Sequence, residues 1–141
     1  MTEEAIQLPW PDAWVFMAIG GRGEHSGLSY VVSSLDYLNR AMPSEAEFEV
    51  SVNRLGKAGL VDVVANGFAV TEAGRSILER SGAGHVGVIK MMLDIRDAWQ
   101  NQQFPVTNPG FVMKMHPGDW EKAQREAHQR FLEWKAKHQL L

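Results

Sequence analysis

The stretch from Ser44 to Arg80 leaves the chain few ways to fold. Ser44-Glu45-Ala46-Glu47 is a capping box. The Ser44 hydroxyl can accept from the Glu47 amide while the Glu47 carboxylate reaches back to the Ser44 amide. Pro43 and Phe48 flank it as a hydrophobic staple, and Phe48, Val52 and Leu55 then recur at helical spacing. Gly59 is placed to take the left-handed conformation that ends a helix, with Leu60 packing back on Leu55. Two strand-like runs follow, Leu60–Ala65 and Phe68–Thr71, separated by Asn66-Gly67. That dipeptide favours a two-residue type I′ hairpin. With Ala65 opposite Phe68, Val63 falls opposite Val70, and Val61, Val63, Ala65, Phe68 and Val70 share one face. Thr71 is the expected N-cap of a helix over Glu72–Arg80.

Upstream, Asp12 is the expected cap of a short buried helix over Ala13–Ile19, stopped by Gly20-Gly21. A glycine-rich connector, Gly20–Gly27, leads to a second helix in which Leu28, Val31, Val32, Leu35 and Leu38 line one side. Helix, helix, helix, hairpin, helix is the order of a winged-helix domain. The residues also carry a resemblance. Asn39-Arg40-Ala41-Met42-Pro43 before the third helix, Arg54-Leu55-Gly56-Lys57-Ala58-Gly59-Leu60-Val61 at its end, and Thr71-Glu72-Ala73-Gly74-Arg75 after the hairpin resemble the pattern of small bacterial winged-helix proteins. These are broadly of the MarR and PadR kind, and the likeness covers roughly half the chain. It implies a mainly α fold with a small β-hairpin: a winged helix-turn-helix domain over residues 1–82 with a C-terminal helical arm over 83–141. It also implies a bacterial regulatory protein whose third helix enters the major groove of double-stranded DNA and whose wing reaches the adjacent backbone.

The arm has a different character. Val88, Met92, Ile95 and Trp99 form one helical stripe, with Val86, Ile89 and Leu93 beside it. An arc that wide must be covered. Pro105, Pro109 and Pro117 bound an irregular segment holding Phe111-Val112-Met113, after which Asp119 is the expected cap of a long helix over Trp120–His138. Its inward positions are expected at Trp120, Ala123, Ala127, Phe131 and Trp134. Such an arm either folds back on its own domain or pairs with a second subunit. Long C-terminal helices dimerise in the regulators this chain resembles, which makes Trp99, Trp120, Phe131 and Trp134 the expected surface of a homodimer.

If DNA is the partner, Asn53 and Arg54 are the types that read adenine and guanine edges, and Lys57 and Arg75 would contact phosphates. The charge argues the other way. The chain carries −3 overall, but the first 82 residues hold eleven acids against six bases, or −5, and the remainder eight bases against six acids, or +2. Glu45, Glu47 and Glu49 sit where phosphates would approach, and Ala65-Asn66-Gly67 at the hairpin tip offers no cation. This is poor apparatus for counterion release. The alternative is a degenerate winged helix used as a protein–protein interaction module. Ala46, Glu47, Glu49 and Val50 would then form the contact surface for a basic or apolar partner.

Other chemistry finds little support. The absence of cysteine excludes disulfides, thiolate metal sites and a cysteine nucleophile. Gly82-Ala83-Gly84-His85-Val86-Gly87 matches G-x-G-x-x-G, but a helix precedes it and no acid follows at the ribose-binding distance, so it reads as a joint. Gly20-Gly21-Arg22-Gly23 lacks the Gly-Lys-Ser/Thr ending of a phosphate loop. His25, His85, His116, His128 and His138 show no metal-ligand spacing. The expectation is a non-enzymatic protein without cofactor or metal. The acidic start, Met1-Thr2-Glu3-Glu4, and apolar runs too short to cross a bilayer point to a cytoplasmic chain without membrane contact.

Overall fold

In the computed structural model, which describes residues 4–21, 26–65, 67–81 and 87–139, the chain runs β1 (Ala5–Gln7), α1 (Trp10–Gly20), α2 (Leu28–Asn39), α3 (Glu45–Lys57), β2 (Val61–Val64), β3 (Gly67–Val70), α4 (Glu72–Ser81), α5 (Val88–Trp99), β4 (Gln103–Pro105) and α6 (Asp119–His138). The fold is mainly helical, with two small antiparallel sheets, β1–β4 and β2–β3. No helix among the described residues is long and apolar enough to cross a membrane.

α1 is the centre. It is apolar all round, so it must be enclosed: every residue from Ala13 to Ile19 is buried, and α2, α3, α4, α5 and β3 surround it. It begins earlier than its sequence suggested. Pro9 is the N-cap, and Asp12 lies inside the first turn, its amide donating to the Pro9 carbonyl at 2.9 Å. Asp12 is therefore not the cap; its carboxylate is free for the use described below.

The signals around α3 hold in detail. The Glu47 amide donates to Ser44 Oγ at 3.1 Å, and the Ser44 amide donates to Glu47 Oε1 at 2.9 Å. At the other end Gly59 has φ +76°. The Leu60 amide reaches the Leu55 carbonyl and the Gly59 amide reaches Gly56, each at 3.0 Å, which is the Schellman arrangement. Thr71 Oγ1 accepts the Gly74 amide at 3.2 Å and so opens α4. Gly74 is needed for close approach: a Cβ there would stand 2.4 Å from the Leu60 carbonyl oxygen.

The hairpin forms in a different register. Val61 pairs with Val70 and Val63 with Phe68, so β3 starts at Gly67, paired with Val64, and not at Phe68 opposite Ala65; the expected turn residue Asn66 lies outside the described residues. A shift of two residues preserves the faces, so Val61, Phe68 and Val70 remain buried. Val63, expected on the buried face, is 46% exposed because the ribbon runs out past the core there. On its other edge Phe68 exchanges two backbone hydrogen bonds with Ser26, at 2.8 and 2.9 Å.

The C-terminal part joins the same core. Met92, Ile95 and Trp99 of α5 are buried, with Trp99 against Phe16 at a ring separation of 5.3 Å. Of the neighbouring stripe, Leu93 is half-buried and Ile89 exposed, while Val86 lies outside the described residues. β4 pairs with β1 at the opposite end of the chain. α6 starts at Asp119, with Gly118 at φ +85° as its N-cap and no side-chain cap, so Asp119 is a first-turn acid and not the cap. Trp120 packs against Phe48 at a ring separation of 5.0 Å, the rings tilted by 35°, and α6 then packs along α2. Arg130 fixes the crossing: its guanidinium donates to Ser29 Oγ and the Ser29 carbonyl, each at 2.8 Å, and lies 3.9 Å from the Tyr30 ring centroid.

α2 begins at Leu28, and beyond Arg130 the residues of α6 are exposed. Phe131 (53% exposed) and Trp134 (56% exposed) were expected to face inward and instead lie in the open.

Candidate interaction face on the third helix

α3 carries every candidate recognition residue except Arg75, and its two flanks are occupied by quite different partners. On one flank stands α1. The Asp12 carboxylate is fully buried; it accepts Ser51 Oγ at 2.6 Å and a two-pronged contact from Arg54, Nε to Oδ2 at 2.7 Å and Nη2 to Oδ1 at 2.8 Å. This fork-to-carboxylate geometry is the strongest ion pairing the side chains offer. Burial pushes the Asp12 carboxyl above its ordinary range, with the Arg54 and Ser51 hydrogen bonds opposing that rise. The same contact raises Arg54, whose charged form it favours.

On the other flank lies an irregular segment of the C-terminal part, Val106–Pro117, here called the strap. It runs antiparallel to α3. The Thr107 and Asn108 amides donate to the Lys57 carbonyl at 3.0 and 3.1 Å, closing the end of the helix. Phe111 lies over Gly56, where a Cβ would stand 2.1 Å from the ring. The Asn53 side chain meets Met113 in both directions, with Nδ2 donating to its carbonyl at 2.9 Å and Oδ1 accepting its amide at 2.7 Å. The Met115 amide reaches Glu49 Oε2 at 3.3 Å.

The two side chains best suited to reading base edges thus have internal partners. Arg54 faces Asp12 and Asn53 faces Met113. Lys57 is half-buried in the groove, with no ion-pair partner among the described residues, and Arg75 is exposed on α4. What α3 still offers to solvent is a narrow strip. Ala46 and Val50 (51% exposed) form its floor, Ile6 of β1 one wall and Val112 (79% exposed) of the strap the other, around a groove of about 500 Å³. Glu49, Arg54 and Lys57 also line it, and Glu45 and Glu47 lie in the first turn of the same helix. The Ser44 hydrogen bonds hold Glu47 below the usual carboxylate range, so it stays charged.

The expected dimer surface divides. Trp99 and Trp120 are core residues of their own chain, 2% and 4% exposed, and present no surface to a partner. Phe131 and Trp134 stack on one another at 6.3 Å, and Trp134 stacks on His138 at 4.4 Å, in the open. Asp12, Gly56, Phe111 and Met113 were not singled out as site residues from sequence. Of these only Gly56, a glycine inside a strongly predicted helix, gave a local signal, since such a position implies close approach by something else. His25, His85 and most of the Gly82–Gly87 motif lie outside the described residues.

Comparison with protein-family models, curated proteins and solved structures finds no match for this chain.

Proposed function

We propose that this chain is a winged-helix-type protein whose third helix contacts protein and not DNA. The observation carrying this reading is the Arg54–Asp12 pair. Freeing Arg54 for a guanine edge would strand a buried carboxylate, at a cost well above the roughly 1–3 kcal/mol a bidentate base contact supplies. The exposed strip supports it further, being apolar at Ala46, Val50 and Val112 beside the Glu49 carboxylate. It suits an apolar partner surface, and Glu45 and Glu47 disfavour phosphate at the start of the same helix. The test is titration of random-sequence duplex DNA between 50 and 200 mM salt. The expected result is no saturable binding. Affinity that falls steeply with salt and weakens in Lys57→Ala and Arg75→Ala would restore the DNA reader.

A second element of the proposal is self-association through the end of α6. The stripe of Trp120, Ala123 and Ala127 is covered by its own chain, and its continuation at Phe131 and Trp134 is not. Sedimentation of the full chain is expected to show a concentration-dependent dimer that Trp134→Glu dissociates with the fold intact. A monomer at every concentration removes this element.

A further inference from the structure

We infer that the strap occupies a peptide-binding site on α3, and that the partner is an extended segment with an aromatic-x-apolar-x-apolar pattern that takes the strap's place. This rests on the reading of α3 as a protein-contact helix and names the chemistry of what it contacts. The strap itself shows what the site accepts. Its residues alternate in burial: Phe111 and Met113 are buried and Met115 half-buried, while Val112, Lys114 and His116 are exposed. That is the period of an extended chain laid on a surface.

Recognition has two parts. Gly56 provides a socket that only a residue without a side chain could leave open for the Phe111 ring. The Asn53 amide grips one residue's backbone N–H and C=O together, as a neighbouring strand would, and Glu49 takes the next inward amide. Backbone capture with pockets for alternate side chains is how extended peptides are held in general, and it selects a pattern more than a particular sequence.

The strap is also built to leave. Beyond Gly110 it pairs with no strand among the described residues, and the Val112 and Lys114 backbone groups have no protein hydrogen bond there. Its Phe111–Pro117 part lies between Gly110 and Gly118, the latter at φ +85°, and a Cβ built at either glycine would meet nothing within 4 Å. From Phe111 onward it is held to α3 by three hydrogen bonds, two with Asn53 and one with Glu49, and an irregular segment so held opens at lower free energy than the helix it covers.

The test uses the full chain and a capped peptide spanning residues 106–117, followed by NMR at the Asn53 side-chain amide and the Gly56 backbone amide. In Phe111→Ala the chain's own ring no longer fills the socket, so the peptide is expected to bind at least tenfold more tightly than to the unaltered chain. Peptides carrying Phe111→Ala or N-methylated at Met113 are expected not to bind. No binding to the variant, equal binding to both chains, or undiminished binding of the N-methylated peptide would each overturn the proposal. Amide exchange in the unaltered chain provides a check independent of any variant. Met113 and Met115 should exchange at least tenfold faster than Val52 and Leu55, and equal protection would contradict a displaceable strap. Such failures leave the outer strip at Ala46 and Val50 standing, because the DNA titration tests that reading separately.

Discussion

The two flanks of α3 solve the same packing problem by opposite means. Toward α1, a charged pair is driven into the interior: Asp12 is fully buried and Arg54 closes over it, with the guanidinium side chain still 29% exposed. Toward the strap, every contact is neutral or apolar except the reach of Glu49 to the Met115 amide. The difference lies in what each flank can tolerate. A buried carboxylate that loses its partner is severely penalised, so the α1 flank has one arrangement. A phenyl ring on a glycine and an amide on a backbone can be exchanged for equivalents from elsewhere. One flank fixes the helix and the other can be replaced, and a DNA reader would need both side chains at the centre of these contacts to be free.

Substitutions should separate the flanks in order of cost. Arg54→Met is expected to be the most damaging, by about 3 kcal/mol, the low end for breaking a buried pair because Arg54 keeps some solvent contact. Its deficit depends on pH. Burial raises the folded pKa of Asp12 above its unfolded value. Asp12 therefore favours folding most below the ordinary carboxylate range, and that contribution falls as pH rises through the folded pKa. Without Arg54 the folded pKa climbs further, so the deficit should be largest at neutral pH and shrink on acidification, as urea denaturation at several pH values would show. A deficit that grows on acidification would contradict the burial account.

On the other flank, Asn53→Ala removes both bonds to Met113 and should cost about 1.5 kcal/mol with no such pH dependence. The same denaturation series measures it. Gly56→Ala should cost least, about 1 kcal/mol. It drives Phe111 off the helix, losing about 2 kcal/mol of burial, but gains about 1 kcal/mol of helix propensity. Hydrogen exchange is expected to show Met113 and Met115 deprotected while Phe48 and Val52 stay protected. Loss of protection across all four would mean the flanks are one cooperative unit and erase the contrast.

What could be read from sequence follows from how local each feature is. The capping box at Ser44, the left-handed Gly59 and the Thr71 cap involve residues within a few positions of one another, and all appear as expected. Arg54 could not be placed, because its partner Asp12 is forty-two residues away and Asp12 had an adequate local explanation as a helix cap. The strap hid for a similar reason. Phe111 and Met113 are visibly apolar, but nothing near them in the chain says that Gly56 and Asn53 receive them. The hairpin register escaped because Asn66-Gly67 favours one tip locally, while the pairing found joins Val61 to Val70 and holds Phe68 to Ser26 on the other side. The outer turns of α6 continue an inward stripe faithfully in sequence, and only the structure shows Phe131 and Trp134 to be exposed.

The most direct test is to follow the Arg54 Nε–H and the Asn53 side-chain amide by NMR, with and without duplex DNA at low salt. Both are held by short hydrogen bonds to internal acceptors. The account predicts slowly exchanging signals at neutral pH that do not move when DNA is added. Signals exchanging at the rate of free side chains, or shifting on DNA addition, would show that these residues face outward and contradict it.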